Sequence, residues 1–207
     1  MTALKPRQDT VRIIDWDELP ERARNLPNNL NPFEEGVLMK HQVEWLKIKT
    51  DIKACPKGRR TGITFAESFD AVFTAAASKE AGGMSVYYIG DTKEKGLEFI
   101  GYCAKFSRVI AEAQGQIVQI EEFLFEDQNE KGETRQITAY RIRYASGFQI
   151  VALSSRPENI RGLQGKVVID EAAFHPNVQG VMEAATALLI WGGRISVISS
   201  HNGKNNP

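Results

Sequence analysis

Lys57-Gly58-Arg59-Arg60-Thr61-Gly62-Ile63-Thr64 follows a short strand-like segment, Asp51 to Cys55, and precedes an Ala- and Phe-rich helical stretch from about Phe65 to Ala77. A strand, a glycine-bearing loop and a helix in that order bring backbone N–H groups and the positive end of a helix dipole to one point, an arrangement that cradles phosphates. Against the pattern GxxxxGK[ST], Gly62 and Thr64 take the later glycine and hydroxyl positions, while Lys57 stands at the first glycine and Ile63 at the lysine. Phosphates need an ammonium nearby, and a lysine at the start of the loop supplies it if its side chain folds back over them. Lys57 is therefore expected to replace the missing lysine, with Thr64 on Mg²⁺, Gly58 and Gly62 allowing close backbone approach, and Arg60 adding charge. The expected nucleotide contacts also include Arg59, Thr61 and Ile63. On this segment alone, an ordinary basic turn remains the alternative.

Downstream, Lys166-Val167-Val168-Ile169-Asp170-Glu171 reads as a short apolar strand ending in two carboxylates. Asp170 is expected to hold Mg²⁺ and Glu171 to orient and polarise an attacking water as general base. A solvated acidic pair is the plain alternative, but it must then explain two motifs in the right order. Gln42, in a helix ahead of the loop, has an amide suited to the adenine edge of ATP, although by itself it reads as a surface residue. Arg161, in Asn-Ile-Arg-Gly ahead of the acidic strand, is a candidate for stabilising charge on the γ-phosphate, within the chain or across a subunit boundary, against a structural salt bridge. Ser199-Ser200-His201-Asn202 follows the last strand, at the end where open α/β sheets collect ligands, and His201 or Asn202 is placed to sense the γ-phosphate. His41 and His175 read as structural, Trp191 as core, and Lys40, Lys47, Lys49 and Lys53 as a solvated face.

Around these motifs, strands and helices alternate. Val37 to Lys49 has amphipathic helical spacing, Met84 to Ile89 reads as a buried strand, and a helix is expected from about Lys93 to Ala113. Ile117–Phe125 and Gln136–Tyr144 flank a polar loop as a hairpin, Gly147–Leu153 adds a strand, Val178–Leu189 reads as helix and Arg194–Ser200 as a buried strand. The pattern predicts an α/β domain with a mostly parallel sheet, helices on both faces and an antiparallel hairpin at an edge. Residues 1–31 read as an N-terminal arm, and residues 32–207 as a P-loop ATPase domain. The 207 residues are 42% hydrophobic and 25% charged with zero formal net charge, so any DNA contact must come from a local patch. Cys55 and Cys103 have neither disulfide-framework nor zinc spacing, and no apolar run approaches the roughly 20 residues that cross a bilayer. The end shortly after Ser200 reads as a truncation.

Taken together, the Gln42 helix, the arginine-rich loop, Ile160-Arg161-Gly162, the Val167–Ala172 strand end and the polar Ser200–Asn202 segment resemble the ATPase domain of phage terminase large subunits. The resemblance spans about Gln42 to Asn202 and is nearest to the Mu-like phage and prophage type. It implies a P-loop NTPase fold of the ASCE type, hydrolysing ATP with Mg²⁺ to translocate double-stranded DNA into a procapsid. By the same resemblance, Lys57, Arg60, Gly62 and Thr64 bind triphosphate, Arg161 acts in trans, and Ser200 to Asn202 couple hydrolysis to movement. The implied partners are DNA, a portal protein, a small terminase subunit and further copies in a ring, the isolated domain being a monomer, in the cytoplasm of a bacterial host. Nothing here supplies the carboxylate cluster of the family's nuclease domain. Two other readings stand beside this one: an assembly module that binds nucleotide without turnover, and a helicase, which would bring a second motor domain.

Overall fold

The structure, a computed structural model, describes residues 11–27, 31, 36–113, 118–128, 134–154 and 162–203. In chain order its elements are β1 (Arg12–Ile14), α1 (Glu21–Arg24), α2 (Lys40–Lys47), β2 (Ile52–Pro56), α3 (Ile63–Ala76), β3 (Val86–Gly90) and α4 (Lys93–Ala113). There follow β4 (Ile120–Gln128), β5 (Thr134–Arg143), β6 (Gln149–Ser154), β7 (Lys166–Asp170), α5 (Val178–Thr186) and β8 (Arg194–Ser199).

The strands form one sheet in the order β1-β4-β5-β6-β3-β7-β8-β2. From β6 to β2 every neighbouring pair is parallel, whereas β1, β4, β5 and β6 pair antiparallel at the other end. Val86–Gly90 and Lys166–Asp170, built on the apolar runs Val86–Ile89 and Val167–Ile169, become central strands in which every residue is buried, as strands covered on both faces require. Alternation sorts their side chains: Val86, Tyr88 and Val168 pack with Val72, Phe99 and Cys103 under α3 and α4. Tyr87, Ile89, Val167 and Ile169 join Val181, Ala185 and Leu188 on the other face. The α/β class and the parallel sheet with its antiparallel hairpin are as the sequence predicts.

The N-terminal segment packs onto the domain from Val11. β1 lies antiparallel to β4, with Arg12 ion-paired to Glu122 and Glu18. α1 rests on α4 so closely that a Cβ at Gly101 would lie 2.6 Å from the Ala23 Cβ. Trp191 departs from its expected core position: it is 70% exposed and its neighbour Ile190 is 78% exposed. Leu188 fills the buried place at this end of the sheet, and the chain reverses at Gly192 (φ +76°), leaving the two outside.

Candidate active site

Three parallel strands deliver the site. β2 ends level with β8, Pro56 opposite Ser199, and β8 in turn sets Ile198 opposite Asp170 of β7. Lys57, Ser200 and Glu171 therefore leave the sheet at the same end. The Lys57 amide donates to Ser199 O at 2.8 Å, and its Nζ reaches across β8 to Glu171 Oε1 at 2.8 Å and Asp170 Oδ1 at 3.3 Å.

Gly62 begins α3 in the left-handed region (φ +70°), and its carbonyl accepts from Gln42 Nε2 at 2.9 Å. Only glycine fits there, because a Cβ would lie 2.4 Å from that nitrogen. Gln42 departs from its surface reading: it is buried, and its Oε1 accepts from the Met39 amide at 2.8 Å, so both ends of its amide are engaged with backbone. Ile63, at the usual lysine position, is 4% exposed and belongs to the core beneath α3. One residue on, Thr64 Oγ1 donates to Asp170 Oδ2 at 2.8 Å.

Asp170 is held on every side. Besides Thr64, Tyr88 Oη donates to Oδ2 at 2.9 Å and the Glu171 amide donates to Oδ1 at 2.9 Å. Burial, reinforced by the Asp170 charge, pushes the Tyr88 phenol well above its ordinary pKa, so it remains a donor. Tyr88 was not legible as a site residue, because within Val86–Ile89 it reads as core, and it is in fact stacked on Phe99 at 4.1 Å. His175 Nε2 lies 2.7 Å from Asp170 O, which ties the turn after β7 to the strand end.

Glu171 Oε2 accepts from both the amide (3.1 Å) and the hydroxyl (2.8 Å) of Ser200. Burial opposes its ionisation, but Lys57 and the two Ser200 donors outweigh burial and lower its pKa to about 2. Burial likewise opposes the Lys57 ammonium, and Asp170 and Glu171 outweigh it to raise its pKa above the ordinary lysine value. Among the described residues, the non-glycine residues at positive φ are Arg60 (62°) and Glu171 (50°). Such backbone costs on the order of 1–3 kcal/mol each and concentrates at functional sites.

A cavity of about 780 Å³ opens over this constellation, lined by Lys57, Arg60, Gly62, Thr64, Glu171 and Ser200 among others. Arg59, Thr61 and Ile63 also line it, and Gly58 lies in the same loop. Arg22, Glu98 and Tyr102 form a wall that sequence reasoning did not find, since it takes the packing of α1 on α4 to create it. Asn202 is exposed and donates to Ala173 O at 3.0 Å, and His201 is exposed, its Nδ1 accepting from the Gly203 amide at 3.1 Å. Arg161 lies outside the described residues. The Thr64 hydroxyl and Asp170 carboxylate are adjacent hard oxygen donors beside an open cavity, a set that suits Mg²⁺ sharing its remaining positions with phosphate and water.

The fold is shared with the ATPase domains of phage large terminases. The structure is similar to the large-terminase ATPase domain of a Thermus phage, with 22% identity, TM-score 0.53 and coverage of 81% of this chain and 66% of that one. It is also similar to the HK97 bacteriophage large terminase, with 13% identity, TM-score 0.51 and coverage of 79% and 33%. In sequence the chain is 45% identical over 184 residues to the Mu-like prophage FluMu protein gp28 of Haemophilus influenzae. It is 44% identical over 176 residues to the probable terminase large subunit gp28 of Escherichia phage Mu. These matches take in 88% and 84% of this chain but only 34% and 31% of the relatives, so the chain spans about a third of their length. Over that third the chain is similar to the gp28 sequences of Mu and a Mu-like prophage. No protein-family model matches the chain. No described helix is long and apolar enough to cross a membrane.

Proposed function

We propose that this domain binds ATP with Mg²⁺ in the cavity above Lys57 and hydrolyses it to drive double-stranded DNA into a procapsid. The observation that carries the reading is the convergence of Lys57, Thr64, Asp170 and Glu171, from two motifs more than a hundred residues apart, through direct contacts of 2.8–3.3 Å. Thr64 and Asp170 would hold Mg²⁺, which when bound neutralises phosphate charge. The Lys57 amine rests on the two carboxylates, and arriving phosphates would offer it a competing anionic partner. Lys57 then stabilises negative charge on the phosphates, and Glu171, released from it, takes a proton from water as that oxygen bonds to the γ-phosphorus. The bond to the β,γ-bridging oxygen breaks and ADP leaves. Ser200, which donates twice to Glu171, would transmit the change to the segment after β8.

Arg161 is proposed as the arginine that completes the site in trans in a ring of subunits. DNA, a portal protein and a small terminase subunit follow as partners, in the cytoplasm of a bacterial host. Burial of Ile63 favours turnover over the rival reading, binding without hydrolysis, because the lysine's place is taken by core packing and its charge by Lys57. A steady-state ATPase assay with DNA and procapsids tests the proposal. Turnover by the wild-type protein that Glu171→Gln abolishes is expected, and equal turnover by the two overturns it.

A further inference from the structure

Below the cavity floor lies a second ionic cluster, touching neither the cavity nor the two carboxylates above it. The side chain of Glu67, on α3, is 0% exposed; its Oε1 accepts from Trp45 Nε1 at 2.6 Å and lies 3.2 Å from Lys53 Nζ. Lys166 Nζ donates to Glu67 Oε2 and to Asp70 Oδ2. The Lys53 ammonium also sits 4.2 Å from the Trp45 ring. Its side chain is 9% exposed, so it departs from the solvated lysine face expected from sequence. Burial opposes ionisation of Glu67, but Lys166 and Lys53 outweigh it and hold the carboxylate below its ordinary pKa.

Stability does not account for such a cluster. Buried ion pairs recover their desolvation cost only with good geometry, and well-packed apolar replacements are often as stable or more so. Position does account for it. Apart from Asp70 at its rim, each member is one helical turn or four chain residues from a site residue: Trp45 from Gln42 on α2, Lys53 of β2 from Lys57, Glu67 from Thr64 on α3, and Lys166 from Asp170 on β7. β2 and β7 are not neighbours, since β8 lies between them, so Glu67 is where the phosphate-loop strand and the acidic strand are tied to one helix.

We propose that the buried Glu67–Lys166 pair is a positioning device that sets the height of α3 against β7 and thereby holds Thr64 Oγ1 within reach of Asp170 for a shared Mg²⁺. The inference rests on the reading that those two residues hold the metal–nucleotide complex. Glu67 and Lys166 touch neither nucleotide nor metal and act through Thr64 and Asp170.

The test uses the double variant Glu67→Met/Lys166→Met in the full chain, with binding of a non-hydrolysable ATP analogue measured in EDTA and across a Mg²⁺ titration, beside thermal unfolding. A folded variant with analogue affinity in EDTA within about twofold of wild type, but a half-saturating Mg²⁺ concentration raised about tenfold or more, is expected, the scale that disturbing outer partners of metal ligands produces. A merely structural role moves Tm and leaves the Mg²⁺ midpoint in place, which overturns the inference. If the double variant does not fold, Asp70→Asn, at the partly exposed rim of the cluster, carries the test: a raised Mg²⁺ midpoint at unchanged EDTA affinity supports the inference, and an unmoved midpoint overturns it. Wild-type protein whose analogue binding ignores Mg²⁺ overturns the functional reading itself, an outcome distinct from a wild-type response that the variants retain.

Discussion

Replacing Lys57 with alanine separates a phosphate ligand from a structural cation, because the two roles predict different ratios of stability loss to affinity loss. Its amine lies 2.8 Å from Glu171 and 3.3 Å from Asp170, with side-chain exposures of 10%, 17% and 2% respectively. Removing one partner of a fully buried pair costs about 3–5 kcal/mol. Here Glu171 is partly solvated and retains both Ser200 donors, which brings the expected loss to about 2–3 kcal/mol, or roughly 5–10 °C in Tm for a domain of this size. A charged hydrogen bond to phosphate contributes about 1.5–3 kcal/mol. Because the amine is paired with two carboxylates, binding exchanges one anionic partner for another, and the lower end applies. Affinity for an ATP analogue with Mg²⁺ should therefore fall about tenfold in Lys57→Ala. Titration calorimetry on the folded variant measures it. A Kd within twofold of wild type, accompanied by the full Tm loss, refutes the reasoning: Lys57 would then hold two carboxylates together and nothing more.

Glu171→Gln should lower turnover by on the order of 10²–10⁴ while tightening analogue binding, since an amide holds Lys57 less strongly and leaves it freer for phosphate; single-turnover kinetics and calorimetry check both halves. The same variant isolates a pH effect. The Glu171 pKa falls from an ordinary 4.5 to about 2 on folding, so its stabilisation is complete above about pH 4.5 and is lost as pH falls through 2. Unfolding free energies measured from pH 6 to pH 2 should fall less steeply over that window in Glu171→Gln than in wild type. Gly62→Ala places a Cβ at positive φ against Gln42 Nε2 and should cost more than about 1 kcal/mol, part of which Gln42→Ala restores by removing the clash; chemical denaturation of both variants gives the comparison.

The fold was legible because periodicity and order were sufficient. The apolar Val86–Ile89 and Val167–Ile169 read as central strands, and the alternation of strands with helices predicted their parallel pairing. What sequence reasoning missed depends on packing between distant segments. The cavity wall of Arg22, Glu98 and Tyr102 exists only because α1 docks on α4 at Gly101. Lys53 read as one of several solvated lysines, since nothing local distinguishes it from Lys47 or Lys49. Its burial comes from Trp45 and Glu67, eight residues before it and fourteen after. Trp191 misled in the opposite direction, because a large apolar residue beside a helix reads as core whether or not another surface is there to receive it.

If the Lys57–Thr64 loop holds phosphate as proposed, it shows why a pattern can fail while its chemistry survives. A consensus fixes a residue type at a position, whereas the site needs only a charge at a point in space. Here Gly62 caps the helix, and the next side chain, Ile63, is 4% exposed and packs in the core at the edge of the cavity. Lys57 leaves the end of the edge strand β2, and the parallel register of β2, β8 and β7 places it one strand away from the carboxylates. Its four-carbon stem covers that separation, as the 2.8 Å contact with Glu171 demonstrates. A lysine moved from the helix start to the strand end is thus consistent with the same electrostatics, provided β8 stays between β2 and β7. Loss of one residue between Pro56 and Gly58 should then damage nucleotide binding more than many substitutions within the loop, because it removes the ammonium that the sheet aims at that point.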